Sequence, residues 1–258
     1  MSTSSLFDSP RLKLRGANEE LEALKAAIAA YRDSNAYELV VDPDPERPNG
    51  DIHKIKVRAP PDRLGLLCAR IASEMRDALD QTGYAAAVAG GHIKPTKAYF
   101  PICKDDSQFD NCVRQNCRHL PPDIVTLFRA FKAHPSGDRL LVALNNVAGF
   151  GKHCVVRPVA QGIGGDFHTR LEIAECPDHF LPVNYPKWDP LKNEVILFHV
   201  GKGTKLKYQA NLSIYIAFGE VDFVAGQEVA AFFDALSGKV EGIIAATEAE
   251  CRRLGFIA

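Results

Sequence analysis

Apolar residues recur at helical spacing in several stretches of the chain and alternate in others, and the two patterns are segregated. Leu21, Leu24, Ala27, Ile28 and Tyr31 share one face and predict a helix over 17–33. Leu64, Leu67, Cys68, Ile71, Met75, Ala78, Leu79 and Ala86 keep the same period from Asp62 to about 88, where Gly90-Gly91 ends it. Pro121-Pro122-Asp123 opens another helix, with Ile124, Leu127, Phe128 and Phe131 on its buried side. A short helix is expected over 138–148 and a long one over about 227–253, apolar at Val229, Phe232, Phe233, Leu236, Val240, Ile243 and Ile244. The first 16 residues are Ser-rich without a clear period and are read as a flexible arm.

Strand-like runs occupy Tyr37–Val41 and Ile52–Val57. Between them, Asp-Pro-Asp-Pro-Glu-Arg-Pro-Asn-Gly is turn chemistry throughout, so a hairpin is expected. Further runs cover Cys154–Val159, Phe167–Ile173, Val195–Val200 and Leu206–Phe218, with Gly201-Lys-Gly203 as a hairpin turn between the last two. The Gly-rich Gly162–Gly165 falls between strands, not before a helix, and is read as a turn. This order predicts an α+β fold: an N-terminal helix and β-hairpin, a central helical bundle, a mostly antiparallel sheet and a long C-terminal helix. Beyond the arm, residues 17–258 are expected to form a single domain. Its helical part spans about 60–150, its β-rich part about 153–225 and its last helix about 227–253.

Composition narrows the function classes. The 258 residues are 46% apolar and 24% charged, as in globular proteins. A formal net charge of −1 gives no global basic field, which argues against nucleic acid as a partner. No apolar stretch reaches the length of a membrane helix, so no membrane partner is expected, and the N-terminus has no secretory apolar segment. Seven scattered cysteines without an export signal read as reduced thiols of a soluble, cytoplasmic protein. A homo-oligomer is compatible with such a chain.

Phosphate loops, dinucleotide fingerprints, nucleophile elbows and zinc-protease helices are all absent. No cofactor is expected. Cys103, Cys112, Cys117 and His119 fall close together and could hold zinc. They contain a single knuckle-like pair, however, and packing thiols on a short helix account for them better, so the reading is no metal. Helical ribonucleases of the HEPN class place an arginine and a histidine with four to six residues between them, the first for phosphate and the second for proton transfer. Arg47/His53, Arg114/His119 and Arg129/His134 have that spacing, but in a chain rich in both residue types solvated surface is the plainer account.

Three segments carry a more specific likeness. Met75-Arg-Asp-Ala-Leu-Asp-Gln81, Phe100-Pro-Ile102 and Lys152-His153 follow one another across the helical half. Over about 60–250 the chain resembles a divergent member of a bacterial family of uncharacterised activity. That family carries a helix Leu-Arg-Ser-Ala-Leu-Asp-His, then Phe-Pro-Ile, then Asn-x-Asp-Lys-His-Arg before a β-rich half. Its first motif has the HEPN-like spacing. Here Gln81 stands at the histidine position, Gly151 at the aspartate and Cys154 at the final arginine, so the main proton-transfer group is missing. The resemblance implies a polar site of Arg76 and His153 as candidate catalytic residues, with Lys152, Asp80 and the nearby Asn146 as candidate ligand-binding residues.

Arg76 and Asp80 are four apart on one helix face and can pair, and Lys152 and His153 follow a helix C-terminus that favours positive charge. Two functions follow. The favoured one is a non-catalytic binding or structural module in which these groups form a polar network. The other is a hydrolase acting on RNA or a phosphorylated small molecule, with His153 moving the proton and Arg76 and Lys152 holding the anion.

Overall fold

The structure, a computed structural model, describes residues 6–34, 36–151, 158–163, 170–175, 187–189, 192–209, 213–219 and 221–258. Among them are six α-helices, α1 (Asp8–Asp33), α2 (Asp62–Ala89), α3 (Phe109–Asn116), α4 (Pro122–Ala130), α5 (Arg139–Gly151) and α6 (Val229–Arg253). Eight strands accompany them: β1 (Tyr37–Pro43), β2 (Gly50–Val57), β3 (Pro158–Ile163), β4 (Arg170–Glu175), β5 (Lys187–Asp189), β6 (Glu194–Gly201), β7 (Lys205–Gln209) and β8 (Ser213–Phe218). The fold is α+β. Among the described residues no helix is long and apolar enough to cross a membrane.

The chain divides into two compact units, each assembled from separated stretches of sequence. One comprises Met1–Ala26, Asp62–Arg157 and Phe218–Ala258, and the other Ala27–Pro61 and Pro158–Ala217. The N-terminal hairpin joins the β-rich unit because β2 pairs with β6, a partner too distant in sequence for local patterning to reveal.

The helical unit is built on amphipathic stripes. The expected flexible arm is replaced by helix from Asp8 onward. Phe7, Pro10, Leu14, Ala17, Leu21 and Leu24 are buried at alternating steps of three and four, so the apolar face begins before the arm was expected to end. Pro10 lies in the first turn, where its missing N–H costs no helical bond. Ser9 bonds Gln81, Lys13 pairs with Glu74 at 2.9 Å and Arg70 with Glu20 at 3.7 Å, which sets α1 antiparallel to α2. Arg11 pairs with Glu248, and Lys25 with Asp234 at 2.8 Å, placing α6 along the same helix.

Gly91, at φ 91°, ends α2 in a Schellman turn: its N–H donates to the Val88 carbonyl and that of His92 to the Ala87 carbonyl. At the start of α5, Asp138 Oδ1 accepts the amides of Leu140 and Leu141 at 3.1 and 3.2 Å. Buried Thr82 and Thr247 each donate to the carbonyl four residues back, which satisfies both hydroxyls in the core. Phe218 packs edge-on against Phe232 and Phe233 of α6, centroids 5.1 and 5.8 Å away.

In the β-rich unit, β1-β2-β6-β5 form an antiparallel sheet, while β3 pairs with β8 and β4 with β7. The hairpin closes Tyr37 on Val57 and Pro43 on Asp51, as the turn chemistry predicts. One sheet face is charged, with Lys54 between Asp42 and Glu194 at 2.5 and 2.9 Å. The other buries Ile55, Val57, Val195 and Val200.

The structure refines the strand expectations. Within Leu206–Phe218 it describes two strands, β7 and β8, which pair with different partners. Gly201–Gly203 does turn the chain, with Gly203 at φ 83°, but it joins β6 to β7, which are not paired, so it is not a hairpin. Gly162 lies inside β3, whose partner is β8, and not in a turn. Gly164 and Gly165, most of Cys154–Val159 and the start of Phe167–Ile173 lie outside the described residues.

Candidate functional site

The spacing of Arg76 and Asp80 becomes a real pair. Arg76 Nη2 lies 2.9 Å from Asp80 Oδ1, and the two side chains are 17% and 27% exposed. Together they hold a single peptide segment. Arg76 Nη2 donates to the Phe100 carbonyl at 3.0 Å, and the Phe100 N–H donates to Asp80 Oδ1 at 3.2 Å. Both polar backbone groups of Phe100 are therefore satisfied by the motif helix, in a stretch with no secondary structure of its own to satisfy them.

Close approach makes this clamp possible. A Cβ built on Gly83 would stand 2.3 Å from the Ala98 carbonyl oxygen, so only glycine lets the 98–100 segment lie on α2. The Phe100 ring is fully buried, 4.9 Å from Phe128 and 6.0 Å from Phe131 between centroids. The first two segments of the family likeness thus converge: the Arg-x3-Asp helix face fastens the backbone of Phe-Pro-Ile, and the aromatic ring anchors it from the other side.

Lys152 and His153 lie outside the described residues. Asn146 is buried on α5, with no hydrogen-bond partner for its Oδ1 among the described residues. Arg76 Nη1 is likewise buried without an acceptor there. Gln81, at the family's histidine position, accepts from the Ser9 hydroxyl at 2.7 Å and ties α2 to the start of α1.

Each of the four potential zinc ligands is engaged by backbone groups. The thiols of Cys103, Cys112 and Cys117 donate to the carbonyls of Asp105, Ile102 and Tyr99 at 3.1, 3.6 and 3.5 Å. Burial pushes the Cys112 thiol above its ordinary range and that of Cys117 up to about 12, which keeps them protonated. His119 Nδ1 accepts the amides of Thr96 and Lys97 at 3.1 and 3.3 Å, while its ring stacks on His92 with centroids 4.2 Å apart. Among the described residues no group of three or more His, Cys, Asp or Glu is placed to hold a metal ion.

In two of the three Arg–His spacings the arginine and the histidine engage different partners. Arg114 bonds Asn111 at 2.8 Å, whereas His119 caps the 96–97 amides. Arg129 pairs with Asp110, whereas His134 Nδ1 meets Asp106 at 2.5 Å. The hydroxyl and amide of Ser136, then His134, draw the Asp106 carboxyl down to about 2. Arg47 belongs to the β1–β2 loop and His53 is buried in β2, where desolvation lowers its pKa.

One polar pair escaped the sequence entirely. Asp44, whose side chain is fully buried, meets His199 Nδ1 at 2.7 Å and accepts the Glu46 amide at 2.9 Å. Burial alone would raise the Asp44 carboxyl; the His199 bond, the Glu46 amide and nearby positive charge outweigh it and hold the group below its ordinary value. A carboxylate on Nδ1 orients an imidazole and leaves Nε2 as the second nitrogen for proton exchange. The Asx turn at Asp44 was legible in Asp-Pro-Glu; its partner, 155 residues away, was not.

Comparison with protein-family models, with curated proteins and with solved structures gave no match to this chain.

Proposed function

We propose that this chain is a non-catalytic binding or structural module in which Arg76 and Asp80 act as an internal fastener. The observation that carries this is the clamp itself: the pair's hydrogen bonds are spent on both backbone groups of Phe100. A phosphate-binding arginine would present its paired N–H groups to an open site. The glutamine at position 81, where the family has a histidine, supports the same reading, because an amide cannot exchange protons near neutral pH. A cytoplasmic location belongs to it too, supported by the five described cysteines, all free thiols. The test is Arg76→Ala. It is expected to lower the melting temperature, and no phosphodiester or phosphomonoester panel is expected to reveal turnover in the parent protein. Turnover abolished by Arg76→Ala in a still-folded chain would sink the reading.

A second reading rests on the buried Arg76 Nη1, which meets no acceptor among the described residues. A phosphate oxygen would satisfy it. In that case the chain is a hydrolase of RNA or a phosphorylated small molecule, Arg76 and Lys152 holding the anion and His153 moving the proton. Activity lost in His153→Ala and unchanged in fold would favour it; an inert parent protein leaves it without support.

A further inference from the structure

Between α3 and α4 lies a half-open depression of about 510 Å³, within the size range of small-ligand sites. Its floor is apolar, made by Val113, Val125 and the buried Cys117. Its polar wall carries two guanidinium groups that the fold already steers: Arg114 through Asn111 Oδ1 at 2.8 Å, and Arg129 through the Asp110 carboxylate. Counting Arg114 and Arg129 against Asp110, the lining has one positive charge in excess. Each guanidinium has five N–H donors in a flat fork and spends one nitrogen on its anchor, which leaves edges able to take the oxygens of an anion. Asp110 is 84% exposed, so its hold on Arg129 is solvent-screened and open to competition. The neutral floor is suited to an apolar body and not to a second charge.

We propose that this depression binds a small organic phosphate monoester, its phosphate on Arg114 and Arg129 and its apolar part on Val113, Val125 and Cys117. The site shares no residue with the Arg76–Asp80 clamp, so its failure would leave the reading of that pair standing.

Phenyl phosphate is the probe, with inorganic phosphate and benzyl alcohol as partial probes, followed by amide chemical shifts and calorimetry on the full chain. Saturable shifts are expected at Asn111, Val113, Arg114, Val125 and Arg129, with phenyl phosphate tighter than either partial probe. Arg114→Ala and Arg129→Ala should each weaken binding about tenfold, Asp110→Asn should tighten it, and Arg118→Ala, exposed and outside the lining, should leave it unchanged. Because both arginines are surface residues, the variants are expected to stay folded, and the parent's melting temperature in each confirms it. No saturable shift up to about 10 mM overturns the proposal, as does binding indifferent to both arginines or matched by benzyl alcohol. Binding of single-stranded RNA through the same arginines with no response to phenyl phosphate also overturns it.

Discussion

Gly83→Ala is the sharpest perturbation of the clamp, because it changes one methyl group and touches neither charged residue. In an open helix interior the substitution would be favourable by about 1 kcal/mol. Here the new Cβ would sit 2.3 Å from the Ala98 carbonyl oxygen and 3.0 Å from its carbon, backbone atoms that cannot swing aside like a side-chain tip. Restoring a tolerable 3.0 Å requires the segment to retreat by about 0.7 Å, the difference between the two figures. Carried two residues on, that retreat would stretch the 3.2 Å Phe100–Asp80 bond and the 3.0 Å Arg76–Phe100 bond beyond hydrogen-bonding reach.

Bonds to charged groups contribute about 1.5–3 kcal/mol each, and overpacking costs about 1–3 kcal/mol. After the helix gain is subtracted and some relaxation allowed, a net loss of about 2–4 kcal/mol is expected. That corresponds to a fall in melting temperature of about 5–15 °C for a chain of this size. Urea unfolding would measure the loss, and hydrogen exchange would locate it: the Phe100 amide, protected in the parent, should exchange fast in the variant. Gly83→Ala that is neutral or stabilising, with Phe100 still protected, would refute the reasoning.

Other outcomes follow from the same geometry. Gly16→Ala, in α1 with no atom within 4 Å of the new methyl, should stabilise by about 0.5–1 kcal/mol in the same unfolding assay. Phe100→Ala should cost about 3–5 kcal/mol, since the ring is fully buried against Phe128. Burial, then the charges of His92, Arg118 and Lys97, depress the His119 pKa. The native state therefore binds its proton less readily than the unfolded chain, and this residue's share of stability declines as pH falls below the ordinary value of about 6.5. A ring-proton titration placing His119 at or above that value would contradict the assignment. Asp44 has the depressed carboxyl, so its stabilisation is full above about pH 4 and drains away on further acidification; Asp44→Asn should flatten the acid limb of β-sheet unfolding.

The parts of the fold legible in the sequence were those whose signal is local. The stripes of α2 and α6 needed only their own periods, and Asp-Pro-Asp-Pro with Asn-Gly announced the β1–β2 turn. The start of α1 was hidden by Pro10, Gly16 and a run of basic residues, although Phe7, Leu14 and Ala17 already carry the stripe. β5, three residues long, is too short for alternation to register, and the pairing of β7 with β4 depends on a strand about 35 residues earlier. At the candidate site, helical spacing was enough to pair Arg76 with Asp80. Their shared hold on Phe100 depends on how the 98–100 segment returns to α2, which Gly83 permits but no residue pattern encodes.

The interleaving of the two units bears on biosynthesis. Because each unit is assembled from separated stretches, neither can be completed while most of the chain is still unmade. β2 must wait for β6, about 140 residues downstream, with its inner edge unpaired. At ribosomal rates of about 5–20 residues per second, that is a delay of roughly 7–28 s. α1 and α2 similarly wait for α6 at the far end of the chain. A nascent chain halted before residue 194 would carry a half-paired hairpin able to recruit the matching strand of a neighbour. Expression level and chaperone supply should therefore govern the yield of this protein more strongly than its final stability does, and truncation is a poor route to a smaller, better-behaved fragment.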